Sequence, residues 1–258
     1  MRRITAVLGF ALGLLAAGGA GAAPAGFPDL DFDPHPGARL PLEAALADEQ
    51  DRPAPLGRYF GGAPVVLVLD YLRCASLCGL TLQTIVAALA TPALEAGRDF
   101  QLVAVSIDPR DRPADAAAAK AKYLAGYRRF GGEDAMHFLT GSPAAVRRIA
   151  DTVGFPYRYD AELDQYLHPA GFVVAAPDGR ISRYLFGVGA APAELQSALA
   201  AAKQGRALDP LTRLVLLCHI GAGRPGGFAV PIEAAFILAD IAAIGALLGL
   251  FAAIRRRR

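Results

Sequence analysis

Apolar positions along the chain switch between two spacings. Residues 65–71 read VVLVLDY, a continuous aliphatic run entered from Gly61, Gly62 and Pro64. A short run without polar alternation predicts a strand buried on both faces. Residues 100–107 (FQLVAVSI) repeat the pattern, and 136–139 carry a shorter version. Between these runs the spacing is helical over 80–90. An Ala-rich stretch with Lys and Arg on one side predicts a second helix over 113–130. Ser142 and Pro143 predict a helix start, with Ser as N-cap and Pro in the first turn, and Gly154 predicts its end. Strands at 171–176 and 181–186 flank Pro177-Asp178-Gly179, a hairpin signal. A last helix is expected over 192–203, ended by Gly205.

The order βαβαβαββα predicts an α/β fold over residues 64–205, a thioredoxin-like central β-sheet flanked by helices. The Pro-, Gly- and Asp-rich stretch 23–63 predicts a linker followed by irregular structure or a hairpin.

Both ends are more apolar than the middle, which accounts for a hydrophobic fraction of 54%. Arg2 and Arg3 precede an apolar run and then Ala20-Gly21-Ala22, so 1–22 reads as a secretory signal peptide. Residues 228–254 are mostly apolar and long enough for a transmembrane helix, for which about 20 residues suffice. Arginines 255–258 then form a basic tail, expected on the cytoplasmic side. Glu233 and Asp240 lie seven apart on one face of that helix. Residues 206–227 become a juxtamembrane segment. The expected topology is an exported domain in the periplasm, anchored to the bacterial inner membrane by a single pass.

Net charge is +2; without the leader arginines and the net +2 of the tail, the remainder carries −2. That balance excludes nucleic acid as a partner. With two Met residues, the chain has no Met-rich metal relay.

Three cysteines remain to be explained: Cys74, Cys78 and Cys218. Cys74 and Cys78 fall between the first buried strand and the helix after it. Open α/β sheets place their sites at the carboxyl ends of strands. The start of a helix also favours thiolate over thiol. Positions four apart share a helix face, so the two sulfurs can close a disulfide or grip a soft metal ion. An inert disulfide across so short a loop gains little. Cys218, followed by His219, reads as a buried small hydrophobe, an extra ligand or an intermolecular disulfide.

Of four histidines, His168 enters the strand expected at 171–176. In a thioredoxin-like topology that turn lies beside the corner carrying the cysteines. A neutral imidazole there completes a site of two sulfurs and one nitrogen. His137 reads as a strand residue and His35 as a linker residue.

Four stretches, in this order and spacing, resemble the Sco/SenC family of copper-binding, thioredoxin-fold proteins. They are residues 71–78 (YLRCASLC), 105–111 (VSIDPRD), 138–142 (FLTGS), and Leu167-His168 leading into 177–180 (PDGR). The resemblance covers roughly 64–203. It implies that Cys74, Cys78 and His168 bind copper, as Cu(I) or Cu(II). It also implies a metallochaperone that serves the copper centre of cytochrome c oxidase, by delivering copper or reducing the cysteines. The implied partner is the copper-site subunit of that oxidase, or another copper protein. The alternative is a membrane-tethered thiol–disulfide oxidoreductase, with Cys74 attacking and Cys78 resolving. Pro169 would then parallel the cis-proline that thioredoxins carry beside their cysteines. Ala75, Gly79 and Leu167 stand where family members commonly carry Pro, Pro and Asp.

Overall fold

The computed structural model describes residues 30–73 and 77–205, and in addition 240, 241, 244, 245 and 255; of Leu77 and Cys78 only the backbone is described. Within residues 30–205 as described, eight strands and five α-helices follow one another: β1 (Leu46–Ala47), β2 (Val65–Asp70), α1 (Leu77–Leu89), β3 (Gln101–Ser106), α2 (Pro113–Tyr127), α3 (Gly132–Ala135), β4 (Met136–Gly141), α4 (Pro143–Val153), β5 (Arg158–Asp160), β6 (Gln165–Leu167), β7 (Gly171–Ala175), β8 (Ile181–Phe186) and α5 (Pro192–Lys203).

Six strands form one mixed sheet in the order β1-β4-β3-β2-β7-β8. The three aliphatic runs pair in parallel, with Val65 beside Gln101 and Leu102 beside Met136. β7 turns the direction, running antiparallel to β2 with Leu67 opposite Val173. Because strand side chains alternate, each run feeds two cores. Val66, Val68, Leu102, Ala104, Phe138 and Val174 face α1, α2 and α5. Val65, Leu67, Leu69, Val103, Val105 and Val173 face α4 and the N-terminal stretch, which supplies Phe32, Leu40, Leu46, Leu56 and Tyr59. A sheet covered on both faces needs continuous apolar strands, and the sequence provides them.

Local chemistry sets the helix ends. The Ser142 hydroxyl accepts from the amide of Ala145 at 3.3 Å, and Pro143 opens α4. Gly154 ends it in the left-handed region, at φ 67°. In α2, Pro113 stands in the first turn and the Arg112 amide donates to the Asp115 carboxylate at 2.8 Å.

The expected transmembrane helix over 228–254 is corrected. Among the described residues no helix is long and apolar enough to cross a membrane. The longest, α2, has 15 residues, about 22 Å against a hydrocarbon core of about 30 Å. Of 228–254, only residues 240, 241, 244 and 245 are described. The membrane as a partner, and the single-pass periplasmic topology that rested on that helix, are withdrawn with it. The leader expected at 1–22 and the juxtamembrane segment 206–227 lie outside the described residues.

Candidate metal centre

The antiparallel register of β7 on β2 determines what meets at the carboxyl end of β2. Leu67 sits opposite Val173, so the residues entering β7 lie beside Leu69 and Asp70. The chain arrives there from a hairpin that the sequence pattern did not predict. In it β5 and β6 pair with Arg158 opposite Leu167 and Tyr159 opposite Tyr166. The Asp160 carboxylate caps its turn, accepting from the amides of Glu162 and Leu163 at 3.0 and 3.1 Å. Asp164 takes the left-handed conformation that closes it, at φ 48°. These short polar strands carry no aliphatic run to betray them.

His168 leaves β6 and lies 12% exposed between Tyr71 and Phe155, whose ring centroids are 6.2 and 5.4 Å away. Burial lowers its pKa below the ordinary histidine value, opposed by a backbone hydrogen bond to Pro169. The imidazole is therefore neutral at pH 7. Its Nδ1 is 3.0 Å from the Pro169 carbonyl oxygen. A carbonyl can only accept, so Nδ1 carries the proton and Nε2 presents its lone pair. Nε2 faces the end of β2, 3.9 Å from Asp70 Oδ1. With a neutral imidazole, that approach is not an ion pair.

This is the tautomer and state that a metal-binding histidine needs. A cavity of about 360 Å³ opens over the ring, lined among others by Val68, Asp70, Tyr71, Thr81, Tyr166 and Val188.

Three residues after Asp70 the chain reaches Arg73, which precedes Cys74 in the sequence. That approach is held from β3 and the turn after it. Asp111 is fully buried; its carboxylate accepts from the Leu72 amide, Arg73 Nε and the Ser106 hydroxyl, each at 2.7 Å. Asp108, also buried, lies 3.7 Å from the Arg73 guanidinium. Those carboxylates hold Arg73 protonated, its pKa raised above the ordinary arginine value chiefly by the bond to Asp111. In the sequence residues 108–111 carry no aliphatic or helical spacing; the Ser-x-Asp-x-x-Asp spacing of 106–111 is the one local signal for a carboxylate cluster at the β2 end.

The structure thus places one of the three expected ligands. Cys74 and the side chain of Cys78 lie outside the described residues; Cys78 is the second residue of α1. Among the described residues no group of three or more His, Cys, Asp or Glu could hold a metal ion. The expectation of a membrane-anchored, copper-loaded protein is corrected accordingly: neither a spanning helix nor an assembled ligand cluster is present among them. No peptide bond among the described residues is cis, so Pro169 does not supply the expected cis-proline. His137 lies against Tyr59, ring centroids 4.2 Å apart and planes tilted by 36°, and its Nε2 meets Gln101 Oε1 at 3.0 Å, as in a structural strand histidine. His35 is exposed near the Thr152 carbonyl. Cys218 and His219 lie outside the described residues.

A mixed sheet between helices, with a neutral histidine at the carboxyl end of its central strand, defines a thioredoxin-like fold with a site at that strand end. The chain belongs to the SCO1/SenC family, whose pattern matches residues 46–204. No curated protein matches. Solved structures share the fold. One is a candidate electron transfer protein of Aquifex aeolicus VF5, 23% identical with a TM-score of 0.56, covering 67% of this chain and 96% of that one. Another is the copper-bound ScoI of Arabidopsis thaliana, 16% identical with a TM-score of 0.53, covering 66% and 99%. A third is a SCO1/SenC family lipoprotein of Bacillus anthracis, 15% identical with a TM-score of 0.51, covering 66% and 96%.

Proposed function

We propose that this protein binds and hands on copper through Cys74, Cys78 and His168. The observation that carries the proposal is the state of His168. It is buried and neutral, with its proton fixed on Nδ1 by the Pro169 carbonyl and Nε2 turned to the end of β2. From that end the chain runs into Cys74. Family membership and the copper in the Arabidopsis relative support the same reading.

The chemistry follows from ligand softness. Two thiolates suit Cu(I), and an added imidazole suits Cu(II). Cys78 stands in the first turn of α1, where unsatisfied backbone N–H groups favour its thiolate. An acceptor thiolate can then displace the ligands one at a time, so that each sulfur–copper bond broken is matched by one formed. The family resemblance points to a client with a thiolate copper centre, as in cytochrome c oxidase.

Competition against a chromophoric Cu(I) chelator, on protein reduced without oxygen, tests the proposal. Wild type is expected to take one Cu(I) per chain, and Cys74→Ser or Cys78→Ser to lose it. If wild type leaves the chelator loaded, and its two thiols form a disulfide when oxidised glutathione is added as the two-electron acceptor, the function is thiol–disulfide exchange instead.

A further inference from the structure

We infer that Arg110 and Asp164 form a tie that sets the distance between Arg73, at the end of β2, and the hairpin that leads into His168. The inference rests on the ligand set proposed above and makes both residues positioning residues.

β7, which follows His168, pairs with β2, but the β5–β6 hairpin that precedes His168 pairs with no strand of the main sheet. Arg73 leads into Cys74 from the main sheet. His168 follows a two-stranded sheet of three residues a side. A lone hairpin so short is not stable by itself, so its position depends on what it is fastened to. Tyr166 fastens the base, its ring 6.0 Å from those of Tyr71 and Tyr157.

The outer end is fastened by Arg110. Its Nε reaches both oxygens of buried Asp108 at 3.0 Å, and its Nη2 reaches Oδ2 at 2.9 Å. Its Nη1 donates to Asp164 Oδ1 at 2.8 Å. The Tyr159 hydroxyl donates to the same oxygen at 2.6 Å, and the guanidinium lies 5.0 Å over the Tyr159 ring. Asp108 also lies beside Arg73, and Asp111 holds Arg73 and Leu72. One turn of chain, 108–111, therefore grips both arms: inward to the approach to Cys74, outward to the turn of the hairpin.

A tie of this kind acts on the imidazole and not on the sulfurs. Weakening it lets His168 drift from the end of β2, which costs Cu(II) binding and spares Cu(I) held by the cysteine pair. The Arg110–Asp164 link is exposed, so its effect is modest and screened by salt.

The test compares Cu(II) and Cu(I) affinities of the full chain, each by chelator competition. Asp164→Asn removes the charge and keeps an acceptor for Tyr159, and Asn tolerates the left-handed φ of this position. It is expected to lower Cu(II) affinity about two- to fivefold, with Cu(I) affinity unchanged. In 0.5 M salt, as wild type loses the same advantage, that gap should close. Arg110→Ala should cost about tenfold in Cu(II). If its loss from Asp108 prevents folding, Asp164→Asn still decides. Equal Cu(II) to Cu(I) ratios in wild type and Asp164→Asn overturn the tie and leave the proposed function standing. Wild type that binds neither ion overturns both.

Discussion

Asp111 holds Leu72 from 39 residues further along the chain, its carboxylate accepting the Leu72 amide hydrogen at 2.7 Å. The same group binds Arg73 and Ser106, and none of its side chain reaches solvent. Deleting it takes the acceptor from the part-buried Leu72 amide, leaves the Ser106 hydroxyl only the Asp108 carbonyl at 3.3 Å, and loosens the guanidinium. Asp111→Ala is therefore expected to cost about 3 kcal/mol in denaturant unfolding. A loss below about 1 kcal/mol would mean that water takes over these bonds and that Asp111 does not position the approach to Cys74.

Gly154 closes α4 at φ 67° against the backbone of Asp33. A Cβ built there falls 1.6 Å from the Asp33 carbonyl oxygen, while the Asp33 amide donates to the Gly154 carbonyl at 2.7 Å. Gly154→Ala must push the N-terminal stretch away from the second core. Its cost is expected at the upper end of single-residue effects, about 3 kcal/mol, in thermal or denaturant unfolding. A near-neutral variant would show that this stretch contributes little to stability.

His137 gives the fold an acid limit. Burial, with Lys120 nearby, lowers its pKa from 6.5 to about 4. Between those values the unfolded chain binds the proton more readily than the folded one. The stability it contributes is thus full above pH 6.5 and lost as pH falls towards 4. Unfolding midpoints at pH 7 and pH 5 should differ for wild type and differ less for His137→Gln. An unchanged difference would assign the acid sensitivity elsewhere, His168 being the other buried histidine with a lowered pKa.

What the sequence disclosed follows the strength of each local signal. The aliphatic runs that become β2 and β3, the Ser142–Pro143 start and Gly154 end of α4, the limits of β8 and of α5 were all readable. Each is fixed by burial on both faces, by a cap or by a turn residue within a few positions. α1 begins at Leu77 and not at residue 80, because apolar spacing does not mark a first turn beside the cysteines. The β5–β6 hairpin escaped because its strands are three residues each, too short for the alternation of Tyr157, Arg158, Tyr159 and Asp160 to mark a strand; long-range bonds to Arg110 and the rings around Tyr166 hold it. The same limit applies to the site. His168 was legible as a candidate, but its neutrality, its tautomer and its neighbour Asp70 depend on the pairing of β7 with β2, which no local spacing encodes.

The central claim, that Cys74, Cys78 and His168 serve one copper ion, is tested most directly by anaerobic Cu(II) titration. The visible spectrum and the paramagnetic resonance of the metal would be recorded together. The account predicts a saturable thiolate-to-copper charge-transfer band at one ion per chain, absent in Cys74→Ala. It also predicts nitrogen hyperfine structure that disappears in His168→Ala. A band and resonance unchanged by His168→Ala would contradict it, leaving His168 a structural neighbour of β2.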